Sequence, residues 1–415
     1  MSSTGGRRQK KPDTVALNAV SGNLVAAAQK IYGKEGVMLL SSALRTERAL
    51  PFDGHGGNLP LQYLFGTNGL LLGRYINIIG PPAGGKTSFC WDLVRMLLAQ
   101  SAIVAWIDTE RKNNPVLIQS ILQLTPEEFD ERIICMPVNK IEEFGDRLQY
   151  IVRQYLGMVP DGAFPLVILV DSLSYLISSE LIEKNTVKNN FDPGYAYARI
   201  AAVLTTQFKV WHQTLIAGRP ILVLLINHEK QKLGDDGGSS TGPGGMHKDF
   251  QASWTLELFQ GKKEEKVSET VWHRYARNIK NGMGIDKRSI EYLVRHHTTA
   301  EGVRLTEYDW DDALVRLLMS EKSGLSKEAI HEITGLTGSG DKWTSKKLKI
   351  NDEVSRHDIG AAIHRTPEMV TALQRLFTVT EVPLFQAGVR EKKEEEEKKA
   401  TKGRRKKEEV PDGVE

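Results

Sequence analysis

Gly80-Pro-Pro-Ala-Gly-Gly-Lys86-Thr87 fits the pattern G-x-x-x-x-G-K-[ST] at every fixed position. The apolar run Tyr75–Ile79 leads into it. Phe89, Leu93 and Leu97 follow it at a spacing of four, which is the pattern of an amphipathic helix. Strand, glycine-rich turn and helix, in that order, let a backbone wrap a phosphate: the glycines permit close approach, and the loop amides and helix N-terminus supply donors and partial positive charge. The stretch therefore predicts that Gly80, Pro81, Pro82, Ala83, Gly84, Gly85, Lys86, Thr87 and Ser88 surround the phosphates of ATP. In that arrangement Lys86 reaches the β/γ-phosphates and the Thr87 hydroxyl coordinates Mg²⁺.

Outward from this loop, strand-like and helix-like segments alternate from about residue 60 to 300. Strands are expected at Tyr75–Ile79, Ile103–Ile107, Ile133–Pro137, Pro165–Val170 and Ile221–Ile226, and helices at Thr87–Gln100 and Ile141–Leu156. Such alternation implies right-handed βαβ crossovers and a parallel sheet. The rhythm then changes. Ser253–Gln260, His273–Ile279 and Ser289–Arg295 are strand candidates with short links, an antiparallel extension of the same sheet with Gly261–Lys266 as a charged hairpin turn.

Three strand ends carry polar residues. Asp171 closes the apolar run Leu166–Val170, at the edge where open α/β sheets bind ligands, and suits a carboxylate that holds Mg²⁺. Asp108-Thr109-Glu110 closes Ile103–Ile107. Glu110 there is either the base that orients and deprotonates an attacking water or an acid favoured by a helix dipole. Asn227-His228 closes Ile221–Ile226 as a γ-phosphate sensor or as a structural cap. The glycine-rich stretch from Lys232 to Phe250 follows, a long loop of the kind that is functional or disordered.

The flanks differ from this core. Residues 1–13 are polar and basic without an apolar run, so they read as a disordered N-terminus and not as a secretory signal. Residues 14–55 read as an N-terminal arm with a helix through Leu24, Ala28, Ile31 and Tyr32 and a strand near Val37–Leu40. The ATPase core spans 56–305. Residues 306–388 form a small, mainly helical C-terminal domain, with Pro367 near a helix start. The segment 389–415 reads as a disordered charged tail, with ten basic and nine acidic residues from Arg390 on.

The net charge of +3 does not by itself announce a nucleic-acid partner. Two cysteines, Cys90 and Cys135, give no disulfide framework. Cys90 reads as an ordinary buried cysteine, with a regulatory thiol as the alternative. The longest apolar runs are far too short to span a bilayer, and a cytoplasmic protein is expected.

Five segments in order resemble the RecA family of homologous recombinases, and within it the phage UvsX-like members. They are Leu24 to Lys34 with Val37–Leu40; Leu61-Gln-Tyr-Leu-Phe-Gly-Thr-Asn-Gly-Leu70 with Gly73-Arg74; Ile107-Asp-Thr-Glu110; Val167-Ile-Leu-Val-Asp-Ser-Leu173; and Ile226-Asn-His228 with Thr241-Gly-Pro-Gly-Gly-Met-His-Lys-Asp-Phe250 and Ala252-Ser253. The resemblance covers about residues 20–300. It implies a RecA-like α/β core that takes ATP and Mg²⁺, with Glu110 as catalytic base and His228 as γ-phosphate sensor in place of a bacterial glutamine. It makes about 178–197 and 232–250 DNA-contacting loops, with Lys184, Lys188, Gly242, Gly244, Gly245, Met246, His247 and Lys248 as DNA-binding residues and Phe250 as a subunit contact.

Two positions depart from the family. Leu117 stands where a tyrosine stacks on adenine. Of two cations that reach the neighbouring subunit's ATP, Lys280 matches one, and Gly282 occupies the other position. Arg277, Lys287 or Arg288 supplies the second charge, or that charge is missing. The resemblance implies filaments on single-stranded DNA, pairing with homologous duplex, and single-strand-binding and mediator proteins as partners, with no membrane. The alternatives are a hexameric DNA motor on the same core and a non-enzymatic, nucleotide-switched regulator.

Overall fold

The computed structural model describes residues 23–31, 47–52, 58–112, 115–159, 163–179, 204, 206–228, 252–260, 270–300 and 302–385. The chain divides into two units at Glu47/Arg48. Residues 23–31 of the first form a helix, α1, on which Leu24 and Ile31 are exposed. The strand expected near Val37–Leu40 lies outside the described residues, as do both expected tails.

The second unit opens with β1 (Ala49–Leu50), α2 (Leu59–Phe65) and β2 (Leu70–Leu71). Asn58 caps α2 by accepting from the Leu61 amide, and Gly66, in the left-handed region at φ 73°, ends it. The strands β3 (Arg74–Ile79), β4 (Ile103–Asp108), β5 (Ile133–Pro137), β6 (Leu166–Asp171) and β7 (Ile221–Ile226) match the expected runs to within a residue at each end. Between them run α3 (Lys86–Leu98), α4 (Pro115–Leu122), α5 (Pro126–Arg132), α6 (Ile141–Met158) and α7 (residues 206–211, continuing into a π turn, His212–Ile216).

The antiparallel extension consists of β8 (Trp254–Phe259), β9 (Val271–Asn281) and β10 (Ser289–Thr298), with a further strand, β11 (Arg304–Asp309). Among the described residues these strands form one nine-stranded sheet, ordered β11-β10-β9-β8-β3-β7-β6-β4-β5 and parallel from β8 to β5. The expected hairpin turn at Gly261–Lys266 lies outside the described residues, although its flanking strands pair antiparallel.

Side-chain alternation explains why the central strands read as continuous apolar runs. Ile76, Val104, Val167 and Leu222 face one core, while Tyr75, Ala105, Ile168 and Val223 face the other. A parallel sheet covered on both faces must be apolar at every position. Helix α3 covers the first face with Phe89, Leu93 and Leu97. Helix α6 covers the second with Phe144, Leu148, Val152 and Tyr155.

From Trp310 onward the chain forms α8 (Trp310–Met319), α9 (Lys327–Thr334), β12 (Leu336–Ser339), β13 (Lys342–Ser345), β14 (Ile350–Val354), α10 (Arg356–His364) and α11 (Pro367–Phe377). The three strands form a small antiparallel sheet that a helical reading from 310 did not contain. These strands are short and mostly exposed, so they carry no apolar alternation to announce them. Pro367 opens α11 as expected. The expected division at 305/306 falls inside β11, and Leu314, Ile359 and Phe377 share the core of Leu64 and Phe89. Gly360 lets α10 approach α8 closely, since a Cβ there would run into the Asp311 carbonyl.

Candidate functional site

Strand β3 ends at Ile79, and Gly80 turns the chain at φ 148°. A Cβ on Gly80 would run into the Leu258 carbonyl of β8, so the turn can pass the neighbouring strand only as glycine. Gly85, at φ 84°, is the N-cap of α3 and brings no side chain to it. The first-turn amides of α3 are thereby available to an external acceptor. The Lys86 ammonium is buried inside the loop and donates to Gly80 O (2.9 Å) and Pro81 O (2.8 Å). One turn further on, Cys90 is fully buried. Burial and the nearby Asp171 carboxylate push its thiol well up, so it is a packed neutral side chain and not a reactive thiolate.

Parallel pairing brings the other strand ends to the same edge. Asp108 and Asp171 are partners in register across β4 and β6, and Asp171 is fully buried. The amides of Thr109 and Glu110 both donate to Asp171 O, at 2.9 and 3.3 Å. The Thr109 hydroxyl bridges the Ser172 carbonyl and amide, and the Asp171–Ser172 peptide is cis. Asp108 accepts from the Arg111 amide. Its carboxylate is therefore engaged in turning the chain while Glu110 projects beyond it.

A network missed by the sequence reading closes around this edge. Lys112 Nζ lies 3.4 Å from Glu110 Oε1 and donates to the Tyr175 hydroxyl at 3.1 Å. The Tyr175 ring meets the His228 ring edge-on, and the Ser174 hydroxyl accepts from the His228 amide. His228 Nδ1 lies 3.3 Å from Lys86 Nζ. An ammonium can only donate, so Nδ1 accepts and the ring proton sits on Nε2. That nitrogen is buried and has no hydrogen-bond partner among the described residues. Burial first, and Lys86 second, hold the imidazole below its ordinary pKa, so it is neutral at neutral pH. Asn227 does a different job: buried, it donates to Asn77 Oδ1 at 2.6 Å and pins the end of β7 to β3.

These groups suit a magnesium nucleotide. An inward lysine, helix N-terminal amides and an orphan Nε2–H are donors for phosphate oxygens. Among the described residues no group of three or more His, Cys, Asp or Glu is placed to hold a metal. Thr87 and Asp171 are thus a sparse oxygen set, which fits Mg²⁺ because that ion keeps waters and phosphate oxygens as its remaining ligands.

The remaining candidates lie elsewhere. Leu117, on α4, is 38% exposed. Lys280 pairs with Thr255, at the level of Asn77, so it sits about 10 Å back along the sheet from Gly80 and two strands across. It therefore lies well back from the strand end that carries its own loop. Arg277 is ion-paired with Glu257. Arg288 donates to the carbonyls of Tyr63 and Phe377 and lies over the Tyr63 ring. Lys287 stands exposed in the β9–β10 turn at φ 67°. Lys184, Lys188, Gly242, Gly244, Gly245, Met246, His247, Lys248 and Phe250 lie outside the described residues. No helix among the described residues is long and apolar enough to cross a membrane.

A family model described as the RecA N-terminal domain matches residues 19–296. The chain is similar to Protein RecA of Thermus thermophilus, 25% identical over 247 residues, which are 59% of this chain and 66% of that relative, just under two thirds of its length. It is similar to Protein RecA of Bacillus licheniformis, 25% identical over 359 residues covering 84% of this chain and 95% of the relative. It is also similar to Protein RecA of Frankia alni, 26% identical over 273 residues covering 65% and 72%.

Proposed function

The chain belongs to the RecA family, and from that premise we propose that it is an ATP-dependent DNA strand-exchange protein of the phage UvsX-like kind. In this reading it forms filaments on single-stranded DNA and pairs them with homologous duplex. The observation that carries the reading is the convergence of Lys86, Glu110 and His228 on one loop, with the orphan His228 Nε2–H beside the Lys86 ammonium.

The loop amides and Lys86 hold the β- and γ-phosphates, and Thr87 and Asp171 hold Mg²⁺. The bound ion supplies charge neutralisation across the phosphates. Glu110 orients the attacking water and accepts its proton. Lys112, tied to both Glu110 and Tyr175, keeps that carboxylate aimed. His228 donates from Nε2 to the γ-phosphate and reports its presence through the 232–250 loop that follows in the chain. Leu117 packs against the base in place of a stacking ring.

Lys280 acts on the ATP of a neighbouring subunit, because it lies well back along the sheet from its own loop. Lys287 is the better second cation, since Arg277 and Arg288 are already engaged. Lys184, Lys188 and the segment Gly242–Lys248 contact DNA phosphates, which position a strand without reading its sequence. Phe250 and the arm over 14–55 join subunits. Single-strand-binding and mediator proteins are its expected partners.

The test is negative-stain imaging with a slowly hydrolysed ATP analogue, with and without single-stranded DNA, alongside phosphate release. Helical filaments and DNA-stimulated hydrolysis are expected. Closed rings would replace this reading with a hexameric motor. Nucleotide binding without stimulated hydrolysis would replace it with a switch.

A further inference from the structure

Arg274 is a cation beside the phosphate loop that no motif announces. Phe259 pairs with Tyr275 across β8 and β9, so Arg274 sits at the level of Gln260, whose side chain donates to Ala83 O. A Cβ on Gly85 would lie 3.5 Å from Arg274 Nε and 3.8 Å from its Cδ. The guanidinium therefore lies over the N-cap of α3, on the flank of the loop away from β6 and β7.

Among the described residues no group neutralises it. Arg274 packs over the Trp272 ring at 5.3 Å, and Nη1 donates to the His273 carbonyl at 3.2 Å. The ionisable groups facing it are the buried phenols of Tyr292 and Tyr308, which burial pushes well above any physiological pH, and the His296 imidazole, which burial and then Arg274 itself hold below its ordinary value. No carboxylate pairs with it among the described residues. Neighbouring arginines contrast with this: Arg277 has Glu257, Arg295 has Asp309, and Arg316 has Glu291 and Asp312. A half-buried guanidinium set against a helix N-terminus is unfavourable unless an anion lies between them.

We propose that Arg274 is a ligand in cis for the nucleotide, donating to non-bridging oxygens of the α- and β-phosphates. This rests on reading Gly80–Thr87 as the nucleotide loop. It assigns the loop's two flanks different tasks. Lys86, His228 and Glu110 attend to the γ-phosphate from the β4–β6–β7 side, whereas Arg274 grips the diphosphate that ATP and ADP share. A planar fork suits two oxygens at once, and lysine cannot reproduce it.

The test uses the full chain with fluorescent ATP and ADP analogues in Mg²⁺, and compares wild type, Arg274→Gln, Arg274→Lys and Lys86→Ala. Melting curves are recorded with and without ADP. Arg274→Gln is expected to weaken ATP and ADP alike, by roughly 10- to 100-fold, the range for losing a charge-assisted hydrogen bond. Arg274→Lys should recover part of that loss, and the nucleotide-free melting point should hold or rise.

Affinities within about two-fold of wild type, with Lys86→Ala defective, would overturn the proposal and leave the loop's assignment intact. A lowered nucleotide-free melting point with unchanged affinity would make Arg274 a packing residue and overturn it too. Loss confined to ATP would move the contact to the γ-phosphate, against the assignment. A wild-type protein that binds neither nucleotide would overturn the reading of the loop and this inference with it.

Discussion

The two halves of the nine-stranded sheet meet at Gly80 and work differently. On the β7–β6–β4 side every strand runs parallel, so every C-terminal end lies on one edge, and Asp108, Asp171 and His228 arrive there one after another. On the β8–β9–β10 side direction alternates. Gln260 reaches the loop from just past the end of one strand and Arg274 from within the next, while Lys280, six residues later in the same strand, is carried back to the level of Asn77. Parallel order gathers chemistry at strand ends, where sequence punctuation marks it. Antiparallel order places it within strands, where nothing does.

The largest effect should come from the parallel half. Glu110→Gln keeps the shape of the side chain and removes the base, so hydrolysis should fall by about 10²–10⁴ while ATP affinity stays near wild type. Phosphate release and analogue titration check this together. A wild-type rate would reduce Glu110 to a helix-end acid and leave the parallel half without its base.

The next effect lies at the joint. Gly80→Ala would force β3 and β8 apart at Leu258 O and place a side chain at φ 148°. A loss of about 1–3 kcal/mol is expected from overpacking alone, read by urea unfolding, with nucleotide affinity falling in parallel. Unchanged stability would mean that the halves are not wedged together at this residue.

The smallest effect lies at the far edge of the antiparallel half. Asp309 closes β11 and caps α8, and its carboxylate faces His357 of α10 at 2.8 Å and Arg295 at 2.7 Å. Burial would raise Asp309, but the bonds from His357, the Asp312 amide and Arg295 outweigh it and hold the carboxyl low. His357 is raised, chiefly by its hydrogen bond to Asp309, with burial opposing and Asp309, Asp311 and Asp358 adding charge.

A histidine raised in the folded state stabilises fully below its ordinary value of 6.5 and loses that contribution as pH rises through the higher folded value. His357 is half exposed, so screening leaves only about 0.2–1 kcal/mol. His357→Gln should therefore cost stability at pH 6 and nothing at pH 9, measured by denaturant unfolding at both. A difference independent of pH would assign the loss to packing.

Much of the architecture was legible because its signals are local. Gly80–Thr87 needs only its own spacing. Apolar runs at 75–79, 103–107, 133–137, 165–170 and 221–226 become parallel strands because both faces must be apolar. Asp171 and Glu110 follow such runs directly. What the chain order did not contain was decided by packing. The salt bridge between Lys112 and Glu110 crosses one residue, but the Tyr175 hydroxyl that completes it comes from 63 residues away. Arg277 and Arg288 looked equivalent as spare cations until strand pairing gave one a carboxylate and folding gave the other two carbonyls. The small sheet at β12–β14 was invisible because exposed strands have no apolar period.

Sequence alone therefore determined the glycine-rich loop, the parallel strands and the order of their polar ends, since each is written in contiguous residues. Only the tertiary structure decided which cations lie beside the loop, because strand direction and register set Arg274 at the level of Gln260 and carry Lys280 of the same strand back to the level of Asn77.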